Sequence, residues 1–493
     1  MSKIEKYLKY NQEINRFNYI SSVLYFDAST DCPLNGKAYS FQIQEYVQNK
    51  VLALKKSPKY LKLIDELAQE LNLDNHYQKA IFKEKKELDK LNKLDAKKIE
   101  EHIQNANRAY MAWEEGRETL DYTNFLKEFE ELLSYFDYYT KTLATKDVAG
   151  YDVLLKEYEE SFNTKMYDEM FDAIEKEVVP LVKKILALPK KKISLPSSYD
   201  VLKQVKLTEE LRQILGYDNN RGCVRETIHP YTIYMTKDDT RITTSYDLHN
   251  VFSNIYSVMH EIGHALYQLN IDLKYENTIL NRSVSYAFDE SQSRFIENYI
   301  GRNYNFISFF KPKLEKLFPE FSQVSVDDLY AHVNEVSAGL IRVDADELTY
   351  PLHVLVRYKV EKMLFNNEIK ASEVETTFAD LFELYLGVRP QNMKEGCFQD
   401  VHWTSDFGYF PTYVLGSAIG AQLLNTLKKD LDFDNLLKKG NLKPILDWLK
   451  NNIHTYGAYY TTNELLNKVC HEEFNVSYYI NYLKEKFSKI YNI

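Results

Sequence analysis

Residues 247–270 read DLHNVFSNIYSVMHEIGHALYQLN, and Ile255, Met259, Ile262 and Leu266 recur there at three- and four-residue steps. That spacing predicts one helix with a single apolar face, and Asp247 is a suitable residue to cap its start. His260 and His264 lie four apart, so their imidazoles project from one side of the helix, about 5–6 Å apart at their Cβ atoms. Two neutral imidazoles so placed suit a tetrahedral metal such as zinc, and Glu261, beside the first of them, is placed to take a proton from a water that the metal activates. In a chain with 11 histidines and 72 acidic residues, chance supplies at most about 0.04 copies of this HExxH pattern. Gly263 adds to the signal, since a glycine inside a helix costs about 1 kcal/mol relative to alanine and implies a close neighbour.

Such a site needs a third protein ligand and an open fourth position. The next helical stretch, SVSYAFDESQSRFIENY, offers Glu290, 26 residues past His264 and able to return to the metal on an antiparallel helix. By spacing alone Asp289 and Glu297 are its rivals. Upstream, TIHPYTIYMTKDDTRITTSY, residues 227–246, is rich in Thr, Ile and Tyr around a polar KDD turn and reads as a small hairpin. Downstream, helical periodicity continues almost to the C-terminus, with breaks expected at Pro312, Pro319, Pro351, Pro390 and Pro411.

Further out, no proline lies between Pro58 and Pro180, so long helices are expected there, and Lys83–His102 reads as part of one helix with a charged, solvated face. The run PKKKISLPSSYD, residues 189–200, is a linker signal. It divides the chain into an N-terminal helical region, 1–199, and a catalytic helical region, 200–493, expected to act as one unit. At 493 residues with 44% hydrophobic and 27% charged side chains, the chain is an ordinary globular protein. Its net charge of −10 offers nucleic acid no attraction. Four scattered cysteines without a CxxC pair point to a reducing, cytoplasmic setting. The most apolar segment, Tyr413 to Leu424, is too short to span a membrane.

Six ordered blocks give the sequence a clear likeness. They are His229-Pro230-Tyr231, Asp239-Thr240-Arg241-Ile242-Thr243, the HEIGH helix, Glu290-Ser291-Gln292-Ser293-Arg294, Ile341-Arg342-Val343-Asp344-Ala345-Asp346, and Gly396 to Trp403 leading into FGYFPTYVLG. Together they resemble the carboxypeptidase Taq family of zinc metallocarboxypeptidases, as does GYDVLLKEYE, residues 150–159. The resemblance implies a mainly α fold with a deep active-site groove and a small hairpin or sheet near the metal. It also implies zinc held by His260, His264 and Glu290, removal of single residues from peptide C-termini, and a homodimer. The chain departs from the family at Tyr231, where HPF is usual, at Asp289, where HES is usual, and at YFDASTDCPLNG, residues 25–36, which matches a Trp-Asp pattern poorly.

The developing oxyanion needs donors besides the metal, and His402, Tyr409 and Tyr413 are the candidates. A free terminal carboxylate calls for an arginine fork, for which Arg241 and Arg342 are the candidates, Arg342 having Asp344 and Asp346 as local ion-pair partners. Cobalt or manganese would fit the same ligands. The other histidines, His76, His102, His249, His332, His353, His454 and His471, have no second ligand at helical spacing and read as structural. The rival readings are a zinc endo-oligopeptidase, an aminopeptidase, and an inactive helical scaffold.

Overall fold

The computed structural model describes residues 1–191 and 193–493. As expected, helices make up most of the chain, from Lys3–Ser29 at one end to Ser477–Tyr491 at the other. The expected 83–102 helix is two helices. Asn75–Lys93 ends at Leu94, and Asp95 starts Ala96–Thr119 by accepting hydrogen bonds from the Lys97 and Lys98 amides at 2.8 and 3.2 Å. An aspartate that satisfies orphan amides outweighs an apolar periodicity running across it. The face is not wholly solvated either, for Lys83 and Glu84 are buried. Pro312 does not break its helix, Tyr304–Leu317, whereas Pro351 and Pro411 stand in the first turns of theirs, where the missing N–H is harmless.

The expected hairpin is present as β2, Thr232–Thr236, and β3, Asp239–Thr244, and a third strand, β1, Val224–Glu226, pairs parallel to β3. The order is β1-β3-β2, so β2 is an edge. Thr232 pairs with Ile242 and Ile233 with Arg241. Because side chains alternate across a pleat, Thr232 and Ile242 share one face and Arg241 the other.

Most buried side chains form one core running from Ala80 to Phe487, which crosses the segment 187–200 between the helices Thr164–Leu186 and Val201–Leu215. The linker signal therefore marks a loop; Lys192 within it lies outside the described residues. A second, smaller core of Tyr7, Tyr60, Ile64, Leu67 and Ile81 holds the first and third helices against Asn75–Lys93. Between this N-terminal lobe and segments 143–160 and 282–289 opens a cavity of about 1410 Å³, and Asp289 lies on its wall. Among the described residues, no helix is long and apolar enough to cross a membrane.

Candidate metal centre

The motif helix is Val251–Leu269. Its cap is Asn250, whose side chain accepts from the Phe252 and Ser253 amides at 3.1 and 3.3 Å; Asp247 instead holds the preceding turn through the His249 amide at 2.7 Å. Gly263 has the close neighbour its presence implied: a Cβ there would stand 2.5 Å from the Ser293 Cα. Ser293 belongs to the short helix Tyr286–Arg294, the glutamate helix, packed on its other side by Pro411–Asp430. Gly416 in that third helix leaves the room a Cβ would need, 2.8 Å from both the Ala287 carbonyl oxygen and the Glu290 Cβ. Glycine thus lets three helices meet almost backbone to backbone, with Glu290 in the middle.

The result is a converging donor set. One donor atom from each of His260, His264 and Glu290 lies within 4.8 Å of the others, and it is the one such group among the described residues. Glu290 Oε2 is 3.7 Å from His260 Nε2 and 3.5 Å from His264 Nε2. Ligands about 2.0–2.1 Å from a tetrahedral ion stand roughly 3.3–3.4 Å apart, so these residues fit a divalent metal with little movement.

The two carboxylates that rivalled Glu290 hold the far sides of the imidazoles. His260 Nδ1 hydrogen-bonds Glu297 Oε2 at 3.0 Å, and His264 Nδ1 lies 3.0 Å from Asp289 Oδ2. Each leaves Nε2 facing Glu290, and such carboxylate partners fix the tautomer and ring orientation of a metal-binding histidine. Asp289, the departure from the family pattern, thus has a definite place. Glu297 lies on a π-helical stretch, Phe295–Gly301, that continues the glutamate helix. Arg294 bridges the two glutamates, donating to Glu290 Oε1 at 2.7 Å and Glu297 Oε2 at 3.2 Å. Burial pushes the Glu290 carboxyl up, but Arg294 and the two histidines outweigh it and hold it well below the usual carboxylate range. For Glu297 burial is likewise outweighed, by Arg294, His260 and Arg302, which bring it down to about 2. Burial disfavours a charged His264, yet Asp289, Glu290 and Glu261 together raise its pKa well above the ordinary value.

Glu261 is buried, and the Thr232 hydroxyl is 2.6 Å from its Oε2. The sheet edge therefore reaches the residue between the two histidines. Thr232 directly follows the HPY block, but nothing local in the sequence marks it.

His402, Tyr409 and Tyr413 come together. Tyr409 and Tyr413 have ring centroids 5.0 Å apart, His402 lies 5.6 Å from Tyr409, and the Tyr413 hydroxyl is 3.4 Å from His402 Nε2. Tyr413 sits one turn before Gly416, on the face of its helix that meets Glu290. Burial, reinforced by Arg342 and Arg357 against the pull of Asp400, lowers the His402 pKa to about 3, so its imidazole is neutral.

The arginines differ. Arg342 is buried, and its partner is Asp400 rather than Asp344 or Asp346: Nε and Nη2 reach Asp400 Oδ1 at 3.1 and 2.7 Å, and Nη1 donates to the Tyr350 hydroxyl at 3.1 Å. Asp346 instead accepts from the backbone amides of Ser337, Leu348 and Thr349, each at 3.0 Å. Arg342 also lies 5.0 Å from the Tyr413 ring. Arg241 points from the sheet face away from Thr232, forks onto Asp239 at 2.9 and 2.7 Å and covers Phe26. Its Nη1 remains outside that fork. The structure thus brings Arg342, and not Arg241, against the oxyanion candidates.

A helical body that converges two imidazoles and a carboxylate, with a tethered second carboxylate beside them, is the frame of a metallopeptidase. Residues 6–487 match the model of the carboxypeptidase Taq (M32) metallopeptidase family. The chain belongs to that family and is a metallocarboxypeptidase, a peptide hydrolase that depends on a divalent metal. It is 33% identical over 486 residues to Carboxypeptidase 1 of Bacillus subtilis (strain 168), covering 97% of both chains. Its structure is similar to that of the M32 carboxypeptidase from Deinococcus radiodurans R1, with a TM-score of 0.97, 26% identity and full coverage of both chains. It is also similar to Pyrococcus furiosus carboxypeptidase, with a TM-score of 0.95, 31% identity and 99% of each chain covered.

Proposed function

We propose that the protein removes single residues from peptide C-termini with broad specificity, using zinc held by His260, His264 and Glu290. The observation that carries this reading is the donor spacing of 3.5 and 3.7 Å around Glu290 Oε2, with Glu261 tethered beside it. The bound ion supplies a Lewis acid that polarises the scissile carbonyl and lowers the pKa of a water. Glu261 accepts the proton of the attacking water and carries it to the leaving amine. Thr232 keeps that carboxylate turned toward the reacting atoms. Glu297 and Asp289 hold the imidazoles so that Nε2 of each stays available.

The developing negative charge on the carbonyl oxygen meets the Tyr409 and Tyr413 hydroxyls and the neutral His402 ring, all in a buried aromatic setting where such donors act strongly. The substrate's terminal carboxylate is met by Arg342 or Arg241. Arg342 is placed beside Tyr413 but is engaged by Asp400; Arg241 has Nη1 outside its fork but lies on the far face of the sheet. Each Arg→Ala variant separately measures this role, and near-normal rates in both on a free-carboxylate peptide would remove the clamp from the mechanism. In this reading residues 1–199 wall the groove, and the protein works as a cytoplasmic homodimer with zinc, cobalt and manganese interchangeable in vitro.

The test is mass spectrometry of an N-terminally blocked peptide over time, with zinc or cobalt added, comparing wild type with Glu261→Gln. A ladder losing one C-terminal residue per step, absent in the variant, is expected. Internal fragments would favour an oligopeptidase instead.

A further inference from the structure

The segment that carries His402 and Tyr409 has little regular structure of its own, running from Gly396 to Phe410 through short 3-10 turns at Cys397–Gln399 and Val401–Thr404. Two hydrogen-bond donors cannot be held in register with a third on the next helix by such a chain alone, because placement errors of about 1 Å are enough to lower rates by 10²-fold.

The support lies behind it. Gly408 adopts φ 88°, and a Cβ there would stand 2.7 Å from the Leu154 carbonyl carbon, so this corner rests directly on the backbone of helix Tyr151–Tyr158. The Gly408 amide donates to Glu361 Oε2 at 2.8 Å, and the Tyr151 hydroxyl donates to the same oxygen at 2.8 Å. Glu361 Oε1 accepts from Arg357 Nε at 2.6 Å. The Arg357 guanidinium then lies against two rings, 3.3 Å from the Trp403 centroid and 4.6 Å from that of Phe410. Each of these contacts that reaches the segment falls on the chain neighbour of a donor: Trp403 follows His402, Gly408 precedes Tyr409 and Phe410 follows it. The GYDVLLKEYE stretch, to which the hydrolytic reaction assigns no part, supplies Tyr151 and the floor under Gly408.

Glu361 is fully buried and Arg357 is 2% exposed. A pair this deep is weak in stabilising terms, since an apolar pair of equal volume commonly does as well. Its use lies in fixing geometry. We propose that the Arg357–Glu361 pair, anchored by Tyr151, is a positioning unit that sets the His402 and Tyr409 donors toward the reacting carbonyl. This rests on the reading of those residues as oxyanion donors. Neither Arg357 nor Glu361 is a candidate metal ligand or donor; beyond the share of Arg357 in keeping His402 neutral, the pair acts through the segment it packs against.

Glu361→Gln and Tyr151→Phe are to be compared alone and combined with Tyr409→Phe in the metal-loaded full-length enzyme, reading metal content, kcat and KM on one blocked peptide. Glu361→Gln should lower kcat by roughly 10- to 100-fold with KM and metal content nearly unchanged. In the Tyr409→Phe background the same change should cost clearly less than in wild type, by about threefold or more, because one of the two donors it positions is already gone. Tyr151→Phe, a milder change that carries the test should Glu361→Gln not fold, should move kcat a few-fold in the same direction and have a smaller effect in the same background. An undiminished loss in the Tyr409→Phe background, or a loss seen in KM alone, would overturn the positioning role. Wild-type kcat for Tyr409→Phe alone would overturn instead the donor assignment beneath it.

Discussion

The ligand-bearing centre and the N-terminal lobe are both helical, yet they are held by opposite means. At the centre, three helices touch through glycines, and the charges are buried and cross-bonded: Arg294 bridges Glu290 and Glu297, and Arg302 reaches Glu297 Oε1 at 3.3 Å. The lobe has its own small core and faces the body across the large cavity, where ion pairs span the gap. Lys83 and Lys86 reach Glu160 at 3.2 and 3.0 Å, Arg282 reaches Glu87 at 2.7 Å, and Lys90 pairs with Glu157. Most of these side chains are partly exposed, so each pair is worth only about 0–1 kcal/mol and is weakened by salt. The centre is therefore built for fixed distances, and the lobe for attachment that can be loosened.

That contrast can be broken in a graded way. The largest effect belongs to Glu261→Gln, which should lower kcat by about 10³-fold or more while zinc content, measured by atomic absorption, stays at wild-type level. Next is Arg294→Met, which leaves Glu290 and Glu297 buried without their shared cation; a loss of about 3–5 kcal/mol in urea unfolding, with weakened metal retention on dialysis, is expected. Gly263→Ala should lower stability by about 1–3 kcal/mol, since the new methyl meets backbone that cannot turn aside. A ligand spacing unaltered in stability and metal content by that methyl would show the helices to be less tightly set than their contacts indicate.

The acid dependence sharpens the same contrast. The Glu297 carboxyl is held at about 2, below an ordinary unfolded value of about 4.3. A depressed carboxylate contributes its full stabilisation above the unfolded value and loses it as pH falls from about 4.3 toward about 2. In the metal-free protein the Tm gap between wild type and Glu297→Gln should therefore close across that window. The smallest effect is expected at the lobe. Glu160→Gln, which removes the partner of two lysines, should shift overall Tm by only a degree or two, yet should speed proteolytic cutting within residues 1–93. Molar salt should do the same to wild type and nothing further to the variant at that contact.

The sequence made the centre unusually legible because its parts are local: two histidines one turn apart, a glutamate on the next helix, and a glycine where none is needed for the helix itself. Sorting Glu290 from Asp289 and Glu297 was beyond spacing, since all three lie on one continuous helical stretch and their order of approach depends on the π-helical turn at 295–301 and on which side the third helix packs. Arg342 finding Asp400, 58 positions away, and Thr232 finding Glu261 are contacts made by tertiary packing, with no periodic trace. The break at Leu94-Asp95 was visible as an aspartate before a helix-forming run and was masked by apolar residues that continued across it. At the start of the motif helix, Asp247 and Asn250 are both good caps, and only the local backbone decides between them.

Gly263, Gly408 and Gly416 also bear on how this enzyme is to be redesigned. At these positions the distance between functional groups is set by atoms that are absent, so any substitution adds to the length standard itself and no nearby side-chain change can take it back. A library aimed at new specificity would keep those three codons fixed, leave Tyr158 and Tyr286, which pack on Tyr409, as they are, and place its diversity on the lobe side of the cavity, around Phe82 and Lys86.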